Sequence, residues 1–180
     1  MKYPTVFNLI SAVIKKAGVP CVLIGGFAVN YYKVTRQTRD IDFLISEEDL
    51  NKVLPQFEIE GYKQDITTKI FTRLENKVKY GMPIDFMFVD KSTLDKVVKD
   101  GKKIEVIGEQ FIIPSLYHLI ALKVHSIKHN SSRELKDLLD IVSLIRANDV
   151  DINDRELKEL CLKYGTGEIY NKILLYCDRK

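Results

Sequence analysis

Apolar residues recur at helical spacing over residues 5–17, where Val6, Leu9, Ile10, Val13, Ile14 and Ala17 fall on one stripe. Gly18 and Pro20 close that helix. CVLIGG (21–26) is a short apolar strand running into two glycines, FAVNYYKV returns to a helical pattern, and TRQTR (35–39) is polar and loop-like. DIDFLIS (40–46) alternates charged and apolar residues and predicts a strand. Ser46 followed by Glu47, Glu48 and Asp49 marks a helix start, with acids at the positive end of the dipole. That helix runs to about Phe57, with Pro55 fraying its end. ITTKIFTRLE (66–75) and MPIDFMFVD (82–90) predict strands, KSTLDKVVKDG a short helix closed by Gly101, and KKIEVIG another strand. From Ile113 onward the pattern is helical. Pro114 and Ser115 begin one helix, Ser131 or Ser132 caps a second, Asp151 or Asn153 opens a third, and a last one covers about 167–178.

This order predicts an α/β (α+β) fold, a small mixed β-sheet with helices packed on it, followed by a helical part. The composition shift near 112 divides the chain into a core over 1–112 and a C-terminal helical extension over 113–180 that packs on the core. With 180 residues, 46% hydrophobic and 29% charged, the chain has the make-up of a globular protein and not of a disordered or fibrous one. No apolar run approaches the roughly 18 residues of a membrane span, and the opening MKYPTVFNLISAVIKK reads as an amphipathic helix and not as a signal peptide. A net charge of +3 neither demands nor forbids a nucleic-acid partner. Cys21, Cys161 and Cys177 have no metal-ligand spacing, and an odd number without an export signal suits a cytoplasmic protein.

Chemistry concentrates in LIGGFAVN, RQTRDIDFLI and PIDFMFVD. Asp40 and Asp42 are two apart on a strand, so they share a face. Asp85 sits among apolar residues of a second strand. If those strands are neighbours, the three carboxylates converge, and a hard divalent cation relieves their repulsion. An Asp-x-Asp pair by itself more often marks solvated or locally capping carboxylates; the flanking Ile41, Phe43, Leu44 and Ile45 point instead to a strand with a buried side. Gly25 and Gly26 fall where a strand passes into a helix, a place where bare backbone lets a phosphate approach. Neither a Gly-x-x-x-x-Gly-Lys-Ser/Thr loop nor a Gly-x-Gly-x-x-Gly motif is present.

The succession of apolar strand, Gly25-Gly26, a spacer and Asp40-Ile-Asp42, with Asp85 in a later strand, resembles the nucleotidyltransferase superfamily with its polymerase-β-like fold. More narrowly, Arg36-Gln-Thr38-Arg39-Asp40-Ile-Asp42 resembles the Arg-x-Thr-x-Asp-Ile-Asp signature of bacterial nucleotidyltransferases related to the AbiEii toxins. The resemblance implies a cytoplasmic transferase that moves a nucleoside monophosphate from an NTP to a hydroxyl, with Mg²⁺ or Mn²⁺ held by Asp40, Asp42 and Asp85. It further implies that Asp85 assists deprotonation of the acceptor, that Gly25 and Gly26 contact the triphosphate, and that Arg36 and Thr38 hold phosphate or order the loop. The acceptor would be tRNA or another RNA, with an antitoxin protein as a partner. An aminoglycoside-type small-molecule acceptor and a catalytically inactive nucleotide-binding module are the alternatives.

Two residues of the helical part join this set. Lys123 falls within the apolar stripe of Leu116, Leu119, Ile120, Val124 and Ile127, where its ammonium either meets a phosphate or carboxylate or snorkels to water. On the next helix Leu135, Leu138, Leu139, Val142 and Ile145 form one side, Asp137 lies at its edge, and Lys136 and Asp140 lie on the polar side. Arg133-x-x-Lys136-Asp137-x-x-Asp140 resembles a segment of the AbiEii-like relatives, and Asp137 is placed to pair with Lys123 and aim it. His125 and His129 are four apart but lack a third ligand, which argues against zinc.

Overall fold

The structure, a computed structural model, describes residues 3–78 and 80–178. The chain forms two compact units, Met1–Phe27 with Gln37–Pro114, and Ala28–Arg36 with Ser115–Lys180.

The first unit is a mixed α/β structure. It holds α1 (Val6–Ala17), β1 (Val22–Leu23), β2 (Ile41–Ile45), α3 (Glu47–Ile59), β3 (Lys63–Thr67), β4 (Phe71–Glu75), β5 (Ile84–Phe88), α4 (Lys91–Lys99), β6 (Lys102–Val106) and β7 (Glu109–Ile113). A seven-residue helix, α2 (Gly25–Tyr31), leads out of it. The strands form one sheet in the order β3-β4-β5-β2-β1-β7-β6. β2 pairs parallel with β5, and β1 parallel with β7; the other pairings are antiparallel.

Burial sets the direction of each side chain. Phe43 and Phe86 stand opposite each other on β2 and β5 and stack at 5.9 Å. Phe57 of α3 packs on Phe86, and Phe111 of β7 packs on Phe43 and on Phe7 of α1. Sinking such rings contributes about 1.5–3 kcal/mol each. Because successive strand residues alternate faces, Asp42 and Asp85, one position before each ring, are turned to the other face.

The helix ends follow their local chemistry. Thr5 caps α1 in a reciprocal box with Asn8, and Gly18 ends it in the left-handed conformation at φ 62°. Ser46 caps α3 by accepting from the Asp49 N–H. Pro55 does not fray that helix, which continues to Ile59, since Val53 and Phe57 on either side are anchored in the core. Residues 66–75, expected as one strand, contain the turn of a hairpin between β3 and β4. Thr68 N–H donates to the Phe71 carbonyl, and Thr68 Oγ1 accepts from the Ile70 N–H. The turn carries no Gly, Pro or Asn, and all of β3 is exposed, so neither punctuation nor alternation marks it. β7 falls where the reading above has the end of the core. It returns from β6 through Ile107-Gly108, both left-handed, a two-residue hairpin turn.

The second unit is helical, with α5 (Leu116–His129), a 3₁₀ turn (Ser131–Arg133), α6 (Glu134–Ala147), α7 (Arg155–Tyr164) and α8 (Gly167–Asp178). Ser115 caps α5. Ser131 and Ser132 do not cap α6; they lie in the 3₁₀ turn, which Asn130 caps. Asp154, and not Asp151 or Asn153, caps α7, because its carboxylate accepts the Glu156 N–H. On α6 the buried side comprises Asp137, Leu138, Asp140, Ile141, Val142, Leu144 and Ile145, while Leu135 and Leu139 are exposed. Asp140 therefore faces inward, contrary to the polar side expected for it. Among the described residues no helix is long and apolar enough to cross a membrane.

Glu109 ties β7 to α1 by accepting from Asn8 Nδ2, Ser11 Oγ and Lys15 Nζ. The Ser11, Asn8 and Lys15 donors hold its carboxyl down from 4.5 to about 2. A depressed carboxyl stabilises the fold above its unfolded-state value and loses that contribution as pH falls through the folded value. Glu109→Gln should therefore cost about 1–2 kcal/mol at neutral pH. In urea titrations across pH, that penalty should shrink between pH 4.5 and about 2.

Candidate active site

The parallel register of β2 with β5 sets Asp42 opposite Asp85, and the antiparallel register of β5 with β4 sets Arg73 opposite Asp85. Asp42, Asp85 and Arg73 thus form one row across three strands. Asp40, two residues before Asp42, adds a third carboxylate. Ligand oxygens of Asp40, Asp42 and Asp85 all lie within 4.8 Å of one another. Asp85 is buried, with its side chain 6% exposed, while Asp40 is 36% exposed.

Arg73 grips this cluster with both prongs of its guanidinium. Nε donates to Asp85 Oδ1 at 2.7 Å and Nη2 to Asp85 Oδ2 at 2.6 Å. Nη2 also reaches Asp40 Oδ2 at 3.3 Å. The Asp85 hydrogen bond pushes the Arg73 pKa above its already high ordinary value. Thr38 orders Asp40 from the loop, its Oγ1 within 2.9 Å of the Asp40 carbonyl and 3.1 Å of Oδ1.

The two glycines have separate reasons. Gly25 has φ +62°, and a Cβ there would overlap the Asp42 carboxylate. Gly26 has no such φ, but a Cβ there would stand 2.6 Å from Thr38 Cβ. Each missing side chain makes room for a residue of the carboxylate cluster or its loop. The Ile24 N–H donates to the Asp42 carbonyl at 2.8 Å, which pins the turn to β2.

In the second unit, Lys123 is buried and donates to Asp137 at 3.1 Å and to Asp140. Arg36 Nη1 donates to the same Asp140 oxygen, and Arg133 Nε donates to Asp137 at 3.0 Å. Asn30 holds the Arg36 backbone at both its N–H and its carbonyl. Burial raises the Asp137 carboxyl pKa, but Arg133 and Lys123 outweigh it and hold the group below its ordinary value.

One of these groups was not among the residues singled out above. Arg73 gave no signal beyond a cation on an alternating strand, and its pairing with Asp85 depends on a register that local sequence does not contain. Asp140 stands in the Arg133-x-x-Lys136-Asp137-x-x-Asp140 segment, but is expected there on the polar side of α6 and is found buried. Its burial beside Lys123 could have been read from the apolar Ile141 and Leu144 flanking the same arc.

The donor set of the carboxylate cluster is all oxygen, confined to a few ångströms and turned toward bare backbone at Gly25. That suits a hard divalent cation such as Mg²⁺ or Mn²⁺. Cations between such carboxylates would also compete with the Arg73 guanidinium for Asp85 oxygens.

A family model described as Uncharacterised nucleotidyltransferase matches residues 6–179. No curated protein matches the chain. Among solved structures the fold is similar to that of ANT(2″)-Ia in complex with adenylyl-2″-tobramycin, with a TM-score of 0.64 and 13% identity over 88% of this chain and 94% of that one. It is similar to an antigenic nucleotidyltransferase-like protein from Paracoccidioides brasiliensis, with a TM-score of 0.54 and 14% identity over 88% and 84%. The lincosamide antibiotic adenylyltransferase LnuA, bound to lincomycin, gives 0.51 and 17% over 75% and 91%. At these identities the likeness is one of fold.

Gly25→Ala combines a left-handed backbone with a Cβ on the Asp42 carboxylate, so it should cost about 1–3 kcal/mol in denaturant titrations. It should also weaken Mn²⁺ binding, read by the loss of free-ion paramagnetic signal. Lys123→Met leaves two buried carboxylates short of a partner and should cost about 3 kcal/mol; adding Asp140→Asn should recover part of that loss.

Proposed function

The chain belongs to the family described as Uncharacterised nucleotidyltransferase, and we propose that it transfers a nucleoside monophosphate from an NTP to a hydroxyl, releasing pyrophosphate. The observation that carries this reading is the meeting of Asp40, Asp42 and Asp85 within 4.8 Å, beside a glycine turn that leaves the backbone open.

Asp40, Asp42 and Asp85 would hold Mg²⁺ or Mn²⁺, which when bound supplies charge neutralisation at the triphosphate and at the two oxygens exchanged on phosphorus. Asp85 is the carboxylate that takes the acceptor's proton, and its burial keeps water from competing. The Gly25 and Gly26 N–H groups offer the triphosphate donors that no side chain screens. Thr38 fixes the rotamer of Asp40, so the ligand oxygens are set before substrate arrives. Within the second unit Lys123 shares Asp140 with Arg36 and so is a positioning residue for the Arg36 guanidinium, the group that the resemblance assigns to phosphate. Asp137 in turn aims Lys123.

For the acceptor we favour RNA, tRNA included, as in an AbiEii-like toxin with an antitoxin partner. This is supported by the Arg36-x-Thr38-x-Asp40-Ile-Asp42 and Lys136-Asp137-x-x-Asp140 segments. A small-molecule hydroxyl is the second reading, favoured by the antibiotic adenylyltransferases among the similar folds. Three free cysteines suit a cytoplasmic setting.

Purified protein offered α-labelled NTPs with Mg²⁺, total RNA, aminoglycosides and lincosamides should label RNA. Asp40→Asn and Asp42→Asn should each lower the rate by about 10²–10³-fold or more. Poor growth on expression, relieved by Asp42→Asn, is expected of the toxin reading. Label on an antibiotic alone would favour the second acceptor. No label anywhere, together with no metal binding, would make the chain a regulatory module.

A further inference from the structure

Arg73 occupies the carboxylate cluster in a way that a merely structural ion pair does not require. An arginine that only neutralised buried Asp85 would be satisfied by its two prongs on that residue. Arg73 makes both of those bonds and, beyond them, Nη2 stands between Asp85 Oδ2 and Asp40 Oδ2, at 2.6 and 3.3 Å. Those are oxygens of the same two carboxylates that a shared divalent cation would take. The side chain is 28% exposed, so it has somewhere to go. Its strand position fixes only where it starts: directly across from Asp85, in the row that continues to Asp42.

Charge explains what such an arrangement does. Three carboxylates with ligand oxygens within 4.8 Å of one another favour a cation among them, and Arg73 is a cation already there. A divalent ion arriving alone has to displace the guanidinium from Asp85 and leave it beside added positive charge. An ion arriving with a triphosphate brings acceptor oxygens to which the guanidinium can turn, and arginine is suited to that by geometry.

On the metal-site reading given above, we propose that Arg73 is the resident counter-ion of the cluster, a positioning residue that opposes cation loading until a nucleotide triphosphate accompanies the cation. Arg73 releases Asp85 on that event, and Asp85 then becomes free to serve the acceptor hydroxyl. Arg73 thereby makes metal binding and nucleotide binding mutually dependent.

The test is Mn²⁺ binding followed by the free-ion paramagnetic signal, with and without a non-hydrolysable NTP analogue, on wild type, Arg73→Met and Arg73→Lys. Thermal unfolding of each variant checks the fold. In wild type the analogue should tighten Mn²⁺ binding by about tenfold or more, a coupling of ordinary allosteric size. Arg73→Met should bind Mn²⁺ alone about tenfold more tightly than wild type and lose most of the analogue's effect. Arg73→Lys keeps a charge for Asp85 without the two-pronged bridge, so it should fold even if Arg73→Met does not, and should fall between the two. Folded variants that bind Mn²⁺ alone no better than wild type, with the analogue's effect intact, overturn the role of Arg73 and leave the transferase reading standing. Wild-type protein that takes up no Mn²⁺ even with the analogue overturns the metal-site reading and this proposal with it.

Discussion

Carboxylate repulsion is the constraint around which the sheet is organised. At an effective dielectric near 20, two like charges some 5 Å apart oppose each other by about 3 kcal/mol, and Asp40, Asp42 and Asp85 form three such pairs. What holds them there is burial on the opposite face. Phe43 and Phe86 are fully buried one residue along from Asp42 and Asp85, and a slip of either strand by one position would turn a ring to the acidic face and an acid into the aromatic core. Several rings at about 1.5–3 kcal/mol each outweigh the repulsion, provided that some cation shares the acidic face. Arg73 meets that condition in the protein alone.

The second unit handles buried charge by a different route. Lys123 lies inside its helical core with Asp137 and Asp140 on either side, and Arg36 and Arg133 complete the set from more exposed positions. Such a network adds little net stability over an apolar core, yet it is costly to break. Its value is geometric: Arg36 and Lys123 converge on one Asp140 oxygen, and Asn30 clamps the Arg36 backbone, so a charged side chain on a loop is held in one place.

Much of this was legible from local pattern. The periodic stripes of α1 and α5, the caps at Ser46 and Ser115, and the alternation of β2 and β5 all lie in short windows where one period dominates. The acids at 40, 42 and 85 stood out because they interrupt apolar strands. The features that escaped depend on partners distant in sequence. The β3–β4 turn contains no turn residue and is held by Thr68, a residue that equally favours strands. β7, at the end of the core, has no element in the sequence reading except that Ile113 opens the helical part, because nothing but its pairing with β6 and β1 marks it. Arg73 is an ordinary strand arginine until Asp85 is set across from it. On α6 the expected arc of Leu135, Leu138, Leu139, Val142 and Ile145 is buried at Leu138, Val142 and Ile145 and exposed at Leu135 and Leu139, because hydrophobicity alone ignores that two aspartates are stabilised inside by Lys123, Arg133 and Arg36.

The central claim is that the three carboxylates form a cation site. The most direct measurement is anomalous diffraction from crystals grown with Mn²⁺ and a non-hydrolysable NTP analogue. Mn²⁺ peaks should lie within about 2.0–2.6 Å of oxygens from Asp40, Asp42 and Asp85, with the Arg73 guanidinium turned away from Asp85. Analogue bound with no anomalous peak at these residues, and Arg73 still closed on Asp85, would contradict the claim.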